Sequence, residues 1–431
     1  MELVLRAADH GTTYLTWRCP DDPRVADFAA LDRDDLGAVL DELHAALPGR
    51  RPGEDGRAAA ERALGTGAFA DPAREAVLST ALSAAVLPGR LARRLTAADT
   101  AAHVRLRVIP SPRLAQVPWE LLVLPDGRRL VEVADVCHDP PATLFAGRGR
   151  SPGRWADVAH QPVVYLLEPR PPEPRYRPVL DERADPAGVA ALARWCDQRV
   201  VDGRLRADDR PDALHGATGR AALGRRLREH PASRLVYFGH AGAADDEPGS
   251  AALYLADSSA VYGLARAIGN HRPFTALDLL HGTATAGAAE SGWPVDTRAA
   301  GHRIWPMPQR VAIIGCSSGG DHRFAEPFGL VLACLDAGAE LVTATRWSLP
   351  SFEAFRLVRP ELAATAQRPT AGLMQAVDRC HDHDDPVGAL GDWQRERLAA
   401  WQAGGDVVDT PLLWAALGTH VAPSRALAVA P

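Results

Sequence analysis

The chain has 431 residues, 46% of them apolar and 24% charged, which suits a globular protein of two or three domains. A formal net charge of −6 argues against a nucleic-acid binder, which would carry a basic face, and all 48 basic residues are arginine, the imprint of a GC-rich genome. No apolar stretch approaches a membrane span, and Met1-Glu2-Leu3-Val4-Leu5-Arg6 lacks the basic region and apolar core of a signal peptide, so a cytosolic location is expected.

Residues 1–20 read as a β-hairpin, with Leu3 and Leu5 alternating, a turn at His10-Gly11, then Tyr14-Leu15-Thr16-Trp17. Leu36, Val39, Leu40, Leu43 and Leu47 lie at helical spacing, and Pro48-Gly49 stops that helix. Asp71-Pro72 caps a second helix carrying Val77, Leu78, Leu82 and Val86. Val104, Leu106 and Val108 alternate as a strand ending at Pro110. Asp126-Gly127 between two apolar runs, 119–124 and 129–133, predicts a hairpin. The stretch 148–177 is interleaved with Pro and Glu, so its flanks read as solvated linker, and a domain boundary is placed near residue 150.

Beyond it strands and helices alternate. Val163-Val164-Tyr165-Leu166-Leu167 is a strand, 187–200 and 220–230 are helices, and 274–280 is expected as a strand. A helix over 328–337 stops at Gly338, a strand over 341–347 follows, and two or three helices come after it near 352–366, 371–380 and 393–402. Such alternation predicts an α/β fold, a mainly parallel sheet covered on both faces. The Gly-, Ala- and acid-rich stretches 243–249 and 282–297 are expected as loops near the site.

Two of the strands end at chemistry. Arg234-Leu235-Val236-Tyr237-Phe238-Gly239 stops at His240, and Arg310-Val311-Ala312-Ile313-Ile314-Gly315 stops at Cys316. In an open parallel sheet the crevice lies beyond the carboxyl ends of the strands. There an imidazole and a thiol can face each other, the arrangement thiolate catalysis needs. The other five cysteines, none in a C-x-x-C pair, need no explanation beyond packing as reduced thiols.

Several motifs, in order, resemble the CHAT-domain proteins, a caspase-like group related to separase. Leu106-Arg107-Val108-Ile109-Pro110, Pro118-Trp119-Glu120-Leu121-Leu122 and Leu130-Val131-Glu132 are similar to the family's amino-terminal signature. Leu235-Val236-Tyr237-Phe238-Gly239-His240-Ala241 resembles its histidine strand, and Ile313-Ile314-Gly315-Cys316-Ser317-Ser318-Gly319 its cysteine strand in a separase-like form. Glu326-Pro327-Phe328-Gly329-Leu330, Ala337-Gly338-Ala339, Thr345-Arg346-Trp347 and Pro411-Leu412-Leu413-Trp414 follow in family order.

The resemblance implies a caspase-like three-layer α/β/α sandwich over 151–431, preceded by a smaller α/β region over 1–150 that buttresses it as a pseudoprotease part does in separase-like enzymes. It implies a cysteine endopeptidase without a cofactor or metal, with Cys316 as nucleophile, His240 as general acid/base, and the backbone N–H groups of Ala241 and Cys316 as the oxyanion hole. Ser317, Arg346 and Trp347 fall on the substrate side. Asp278, Asp321 and Glu326 are the carboxylates that could line an acidic pocket for Arg or Lys before the scissile bond. Ile314 stands where Asp-cleaving caspases have Gln, so cleavage after Asp is not expected. By family analogy the partner is a protein substrate, such as a pore-forming or toxin-like effector encoded nearby, in bacterial defence or programmed death. An activating partner or ligand is implied too, and neither nucleic acid nor membrane.

Rival readings exist. Gly315-x-Ser317-x-Gly319 is a literal G-x-S-x-G, so an α/β-hydrolase would use Ser317 with Asp406 and His420. A caspase-like scaffold used only for protein binding is the non-enzymatic reading. Cys380-His381-Asp382-His383-Asp384-Asp385 groups metal-ligating types, but no second cluster has zinc spacing, so it reads as a polar helix end.

Overall fold

The computed structural model describes residues 1–97, 104–145, 154–176, 178–180, 182–183, 185–243, 247, 249–282, 300–323, 328–365 and 368–423. The strands in chain order are β1 (Glu2–His10), β2 (Thr12–Cys19), β3 (Asp22–Ala30), β4 (Val104–Ile109), β5 (Ala134–His138), β6 (Val163–Leu167), β7 (Arg234–Phe238), β8 (Ala241–Gly242), β9 (Ala252–Leu253), β10 (Phe274–Thr275), β11 (Arg310–Ile314), β12 (Leu341–Thr345) and β13 (Leu417–Val421). The chain divides into two compact units.

The first unit comprises Met1–Asp139, Arg346–Thr365 and Gln375–Thr419. Its strands run in the order β3-β2-β1-β4-β5, with β13 beside β5. The opening hairpin is present, and β3 extends it antiparallel, whereas β1–β4 and β4–β5 are parallel. Alternate residues of β2 are buried, the period of a sheet with one covered face. The helix Arg33–Ala46 buries Leu36, Val39, Leu40 and Leu43, and Asp32 accepts the Asp34 and Asp35 N–H groups as its cap. Asp71 caps the helix Pro72–Val86 in the same way. The expected hairpin around Asp126-Gly127 is instead two 3₁₀ turns, Trp119–Leu121 and Leu130–Glu132. A single bridge, Val123 with Arg129, joins them. The turn chemistry was right, but Pro118 opens the first turn and the Glu132 carboxylate accepts the Arg129 N–H, which closes the second. The chain returns to this unit after Thr345, where the helix Pro386–Gly404 sends Arg395 to Asp135 at 3.1 Å and to the Val131 carbonyl at 2.8 Å.

The second unit comprises Pro140–Thr345, Ala366–Met374 and His420–Pro431. Its strands run in the order β12-β11-β7-β6, all parallel. Every residue of these four strands is buried, as expected of a sheet covered on both faces. Leu235, Val311, Ile313 and Val342 share one core with Leu330 to Leu335, Leu223 and Leu279 of the flanking helices and with Trp305. The fold is therefore α/β, a mostly parallel central sheet with helices against it. The strand expected over 274–280 is only β10, followed by the helix Ala276–His281. Thr275 and Asp278 form a capping box that turns the chain into a helix: the Thr275 hydroxyl accepts the Asp278 N–H at 3.2 Å, and Asp278 accepts the Thr275 N–H at 2.9 Å. β8, β9 and β10 form a separate three-stranded antiparallel sheet.

Candidate active site at the ends of two strands

β7 and β11 are parallel neighbours with Tyr237 opposite Ile313 and Phe238 opposite Ile314. His240 and Cys316 each lie two residues beyond that last pair. The Gly239 N–H donates to the Ile314 carbonyl at 3.2 Å, so pairing continues past the strand ends. A Cβ on Gly315 would lie 2.7 Å from the Gly239 oxygen and 3.1 Å from the Ala241 Cβ. Only glycine at 315 lets the two chains approach so closely.

The turn bearing Cys316 is fastened to the central sheet. Ser318 is buried, its hydroxyl donates to the Ile313 carbonyl at 2.7 Å, and it accepts the Thr345 N–H at 3.1 Å. The Thr345 hydroxyl donates to the Gly315 carbonyl, and the Gly319 N–H donates to the Thr345 carbonyl at 2.8 Å. Ser317, half-buried, has φ +51°, a left-handed conformation that reverses the chain after the cysteine. Cys316 is half-buried, whereas the other five cysteines are buried. Burial pushes the Cys137 thiol up to about 12 and those of Cys196 and Cys380 up to about 11, which keeps them un-ionised at neutral pH.

The histidine side is built by β8 and β9. Ala241 is paired with Leu253, and the Tyr254 N–H donates to the His240 carbonyl at 3.1 Å. That pattern makes Ala241–Leu253 a non-hydrogen-bonded pair, so the Ala241 N–H points away from β9. Consistently, the Ala241 nitrogen lies 3.5 Å from where a Gly315 Cβ would be. Around the His240 ring stand Tyr176 and Tyr254, with centroids 6.0 and 6.5 Å away, and His271 lies 5.3 Å from the Tyr254 ring. His271 is buried, which lowers its pKa, and one ring nitrogen, Nδ1, meets the Asp257 carbonyl at 2.9 Å. A cavity of about 570 Å³ opens beside this cluster, lined by Tyr176, Arg170, Pro172, Arg183, His215 and Asn270.

Sequence reasoning missed Tyr176, Tyr254 and His271, which arrive on loops that carry no local signal. It also missed Glu168, buried at the end of β6 with φ +53°. Burial pushes the Glu168 carboxyl up to about 8, and one of its oxygens accepts the Val179 N–H at 2.7 Å.

Most of the expected substrate-binding residues are enclosed instead. Asp278 is fully buried, ion-paired with Arg220 at 3.2 Å, and accepts the Leu264 N–H. Asp321 is buried and accepts the Val331 and Leu332 N–H groups at the start of the helix Leu330–Asp336. Burial pushes its carboxyl up to about 7. Both carboxylates are consumed by backbone donors and so cannot line an acidic pocket. Arg346 is buried in the first unit, bidentate on Glu120 at 2.7 Å for both contacts, and Trp347 is buried there with its indole N–H donating to the Leu412 carbonyl. These two residues hold structure rather than face a substrate. Glu326 and much of the two expected loops, 243–249 and 282–297, lie outside the described residues. In the hydrolase reading, Asp406 accepts the Val408 N–H and pairs with Arg359 at 3.2 Å, and His420 is buried in β13. Among the described residues no group of three or more His, Cys, Asp or Glu side chains could hold a metal ion. None of the described helices is long and apolar enough to cross a membrane.

A family model described as the CHAT domain matches residues 76–421. Comparison with curated protein sequences finds no match. Two crystal structures of the Saccharomyces cerevisiae separase–securin complex align with 98% of this chain at 10% identity and a TM-score of 0.49. The chain spans 30% of the length of the chain it matches there.

Proposed function

The chain belongs to the CHAT-domain family, and on that premise we propose that it is a cysteine endopeptidase acting through His240 and Cys316. The observation that carries the reading is the shared level of the two residues, each two positions beyond neighbouring parallel strands that Gly315 lets approach closely. Cys316 is also the cysteine left half-exposed, on a turn that side-chain bonds hold in place.

The Cys316 sulfur attacks the scissile carbonyl carbon while His240 takes its proton. The carbonyl oxygen gains the negative charge and lies against the N–H groups of Ala241 and Cys316. When the tetrahedral species collapses, the C–N bond breaks and His240 gives its proton to the leaving amine. Water then attacks the thioester with His240 as base, the C–S bond breaks, His240 returns its proton to the sulfur, and the acid product leaves. A half-exposed imidazole and a half-exposed thiol at the ends of neighbouring strands suit a protein substrate with an extended segment.

Family membership supports the wider setting: a bacterial effector protease of the cytosol, silent until a partner or ligand triggers it, that cleaves a partner protein in defence or programmed death. The test is to incubate wild type and Cys316→Ala with the proteins encoded beside its gene and read intact masses. A fragment made only by wild type is expected. The same fragment from Cys316→Ala overturns the assignment.

A further inference from the structure

The peptide joining His240 to Ala241 is gripped at its carbonyl. The Tyr254 N–H donates to that oxygen at 3.1 Å, and the Tyr237 hydroxyl donates to it as well. The Tyr254 N–H also reaches the Tyr237 oxygen at 3.2 Å, closing a small ring of hydrogen bonds. Tyr237 is fully buried in β7 among apolar side chains, where phenylalanine would pack equally well but for the hydroxyl. Burial raises the phenol pKa, so it stays a proton donor throughout the working range.

A peptide unit is planar, and in the trans form its C=O and N–H point in opposite directions. Holding the His240 oxygen therefore holds the direction of the Ala241 hydrogen. The soft motion of such a unit is rotation of the whole plane about the line between its flanking Cα atoms. Two donors on one oxygen oppose that rotation, and donors on a carbonyl also polarise the amide and strengthen its N–H. On the other side the Ala241 N–H points away from β9, and its nitrogen sits beside the end of β11.

We propose that Tyr237 is a positioning residue for the oxyanion hole, its hydroxyl aiming the Ala241 N–H through the shared His240–Ala241 peptide. This rests on the peptidase reading of His240 and Cys316. Tyr237 acts through the peptide and takes no part in moving the proton, so its loss should spare thiol reactivity and weaken only chemistry that makes an oxyanion.

Two reagents separate these. Iodoacetamide alkylates a thiolate by displacing iodide, and no oxyanion forms. A peptide aldehyde forms a hemithioacetal: sulfur bonds to the aldehyde carbon, the carbonyl pair moves to oxygen, that oxygen takes a proton, and nothing leaves. The experiment compares wild type and Tyr237→Phe with iodoacetamide across pH 5–9, and with a panel of N-acetyl tripeptide aldehydes differing in the terminal residue. In the variant the alkylation rate of Cys316 and its pH profile should stay within about twofold, since the thiolate's surroundings are unchanged. Affinity for the best aldehyde should fall about tenfold, less than outright loss of an oxyanion donor. Equal aldehyde affinity in the two proteins overturns the inference. A matching loss with both reagents also overturns it, because Tyr237 would then support the whole site. A wild type whose Cys316 is alkylated but binds no aldehyde of the panel, even with the proteins encoded beside its gene added, overturns the peptidase reading itself, and the inference with it.

Discussion

Gly315 shows how a residue with no side chain can set a site's geometry. A methyl group there would sit 2.7 Å from the Gly239 oxygen, a distance real Cβ atoms do not tolerate, and the obstacle is backbone, which cannot swing aside. Gly315→Ala should therefore push the ends of β7 and β11 apart and cost about 1–3 kcal/mol, as overpacking does. Urea unfolding measures this. Stability equal to wild type would mean the approach imposes no constraint. The serines after the cysteine divide their work as sharply. Ser317 turns the chain with a left-handed backbone, and Ser318 ties the turn to β12. A motif read by eye as G-x-S-x-G thus spends both hydroxyl-bearing positions on the backbone around its cysteine.

At the scale of elements, the strands ending at His240 and Cys316 were legible because burial on both faces leaves continuous apolar runs, broken by glycine. The helices of the first unit were legible through Asp caps and apolar spacing. The helix Ala276–His281 was not, since Phe274 to Leu280 is as apolar as a strand and only the Thr275–Asp278 reciprocity marks the change to helix. The same stretch hides Asp278, whose partners Leu264 and Arg220 carry no sequence signal. Arg346 was misplaced for a similar reason: its motif was visible, but its partner Glu120 lies 226 residues earlier on the 3₁₀ turn Trp119–Leu121. Both ends of that pair are nearly inaccessible, and the Arg346 guanidinium also donates to the Ala415 carbonyl at 2.9 Å. Glu120→Ala would strand a buried cation and should cost about 3–5 kcal/mol in urea unfolding. A loss below 1 kcal/mol would show that water reaches Arg346.

For the molecule as a whole, the pH response should reflect the buried acids of the second unit. Burial raises Glu168 to about 8 and Asp321 to about 7, so the folded unit keeps protons that the unfolded chain releases near its ordinary carboxylate pKa. Their contribution is therefore intact at low pH and is lost as pH rises, through about 7 for Asp321 and about 8 for Glu168. Each group costs about 1.4 kcal/mol per pH unit inside its window. His271, lowered by burial, acts oppositely, but only below the ordinary histidine range. Glu168→Gln mimics the protonated acid, so it should be more stable than wild type at pH 8.5 and close to it at pH 5. Urea titrations at the two pH values decide this, and a gap that fails to widen with pH would mean the Glu168 carboxyl is solvated.

His240 and Cys316 are anchored unequally. Cys316 rides on a turn bolted to β11 and β12 of the main sheet, while His240 leads into β8, whose ladder with β9 is only two residues long. Breaking so short a ladder costs a small fraction of what unfolding the main sheet costs. The imidazole side therefore leans on the Tyr237 hydroxyl, which ties the His240 carbonyl back to β7, and that one bond is the pin that keeps the lightly held jaw of the pair aligned with the firm one.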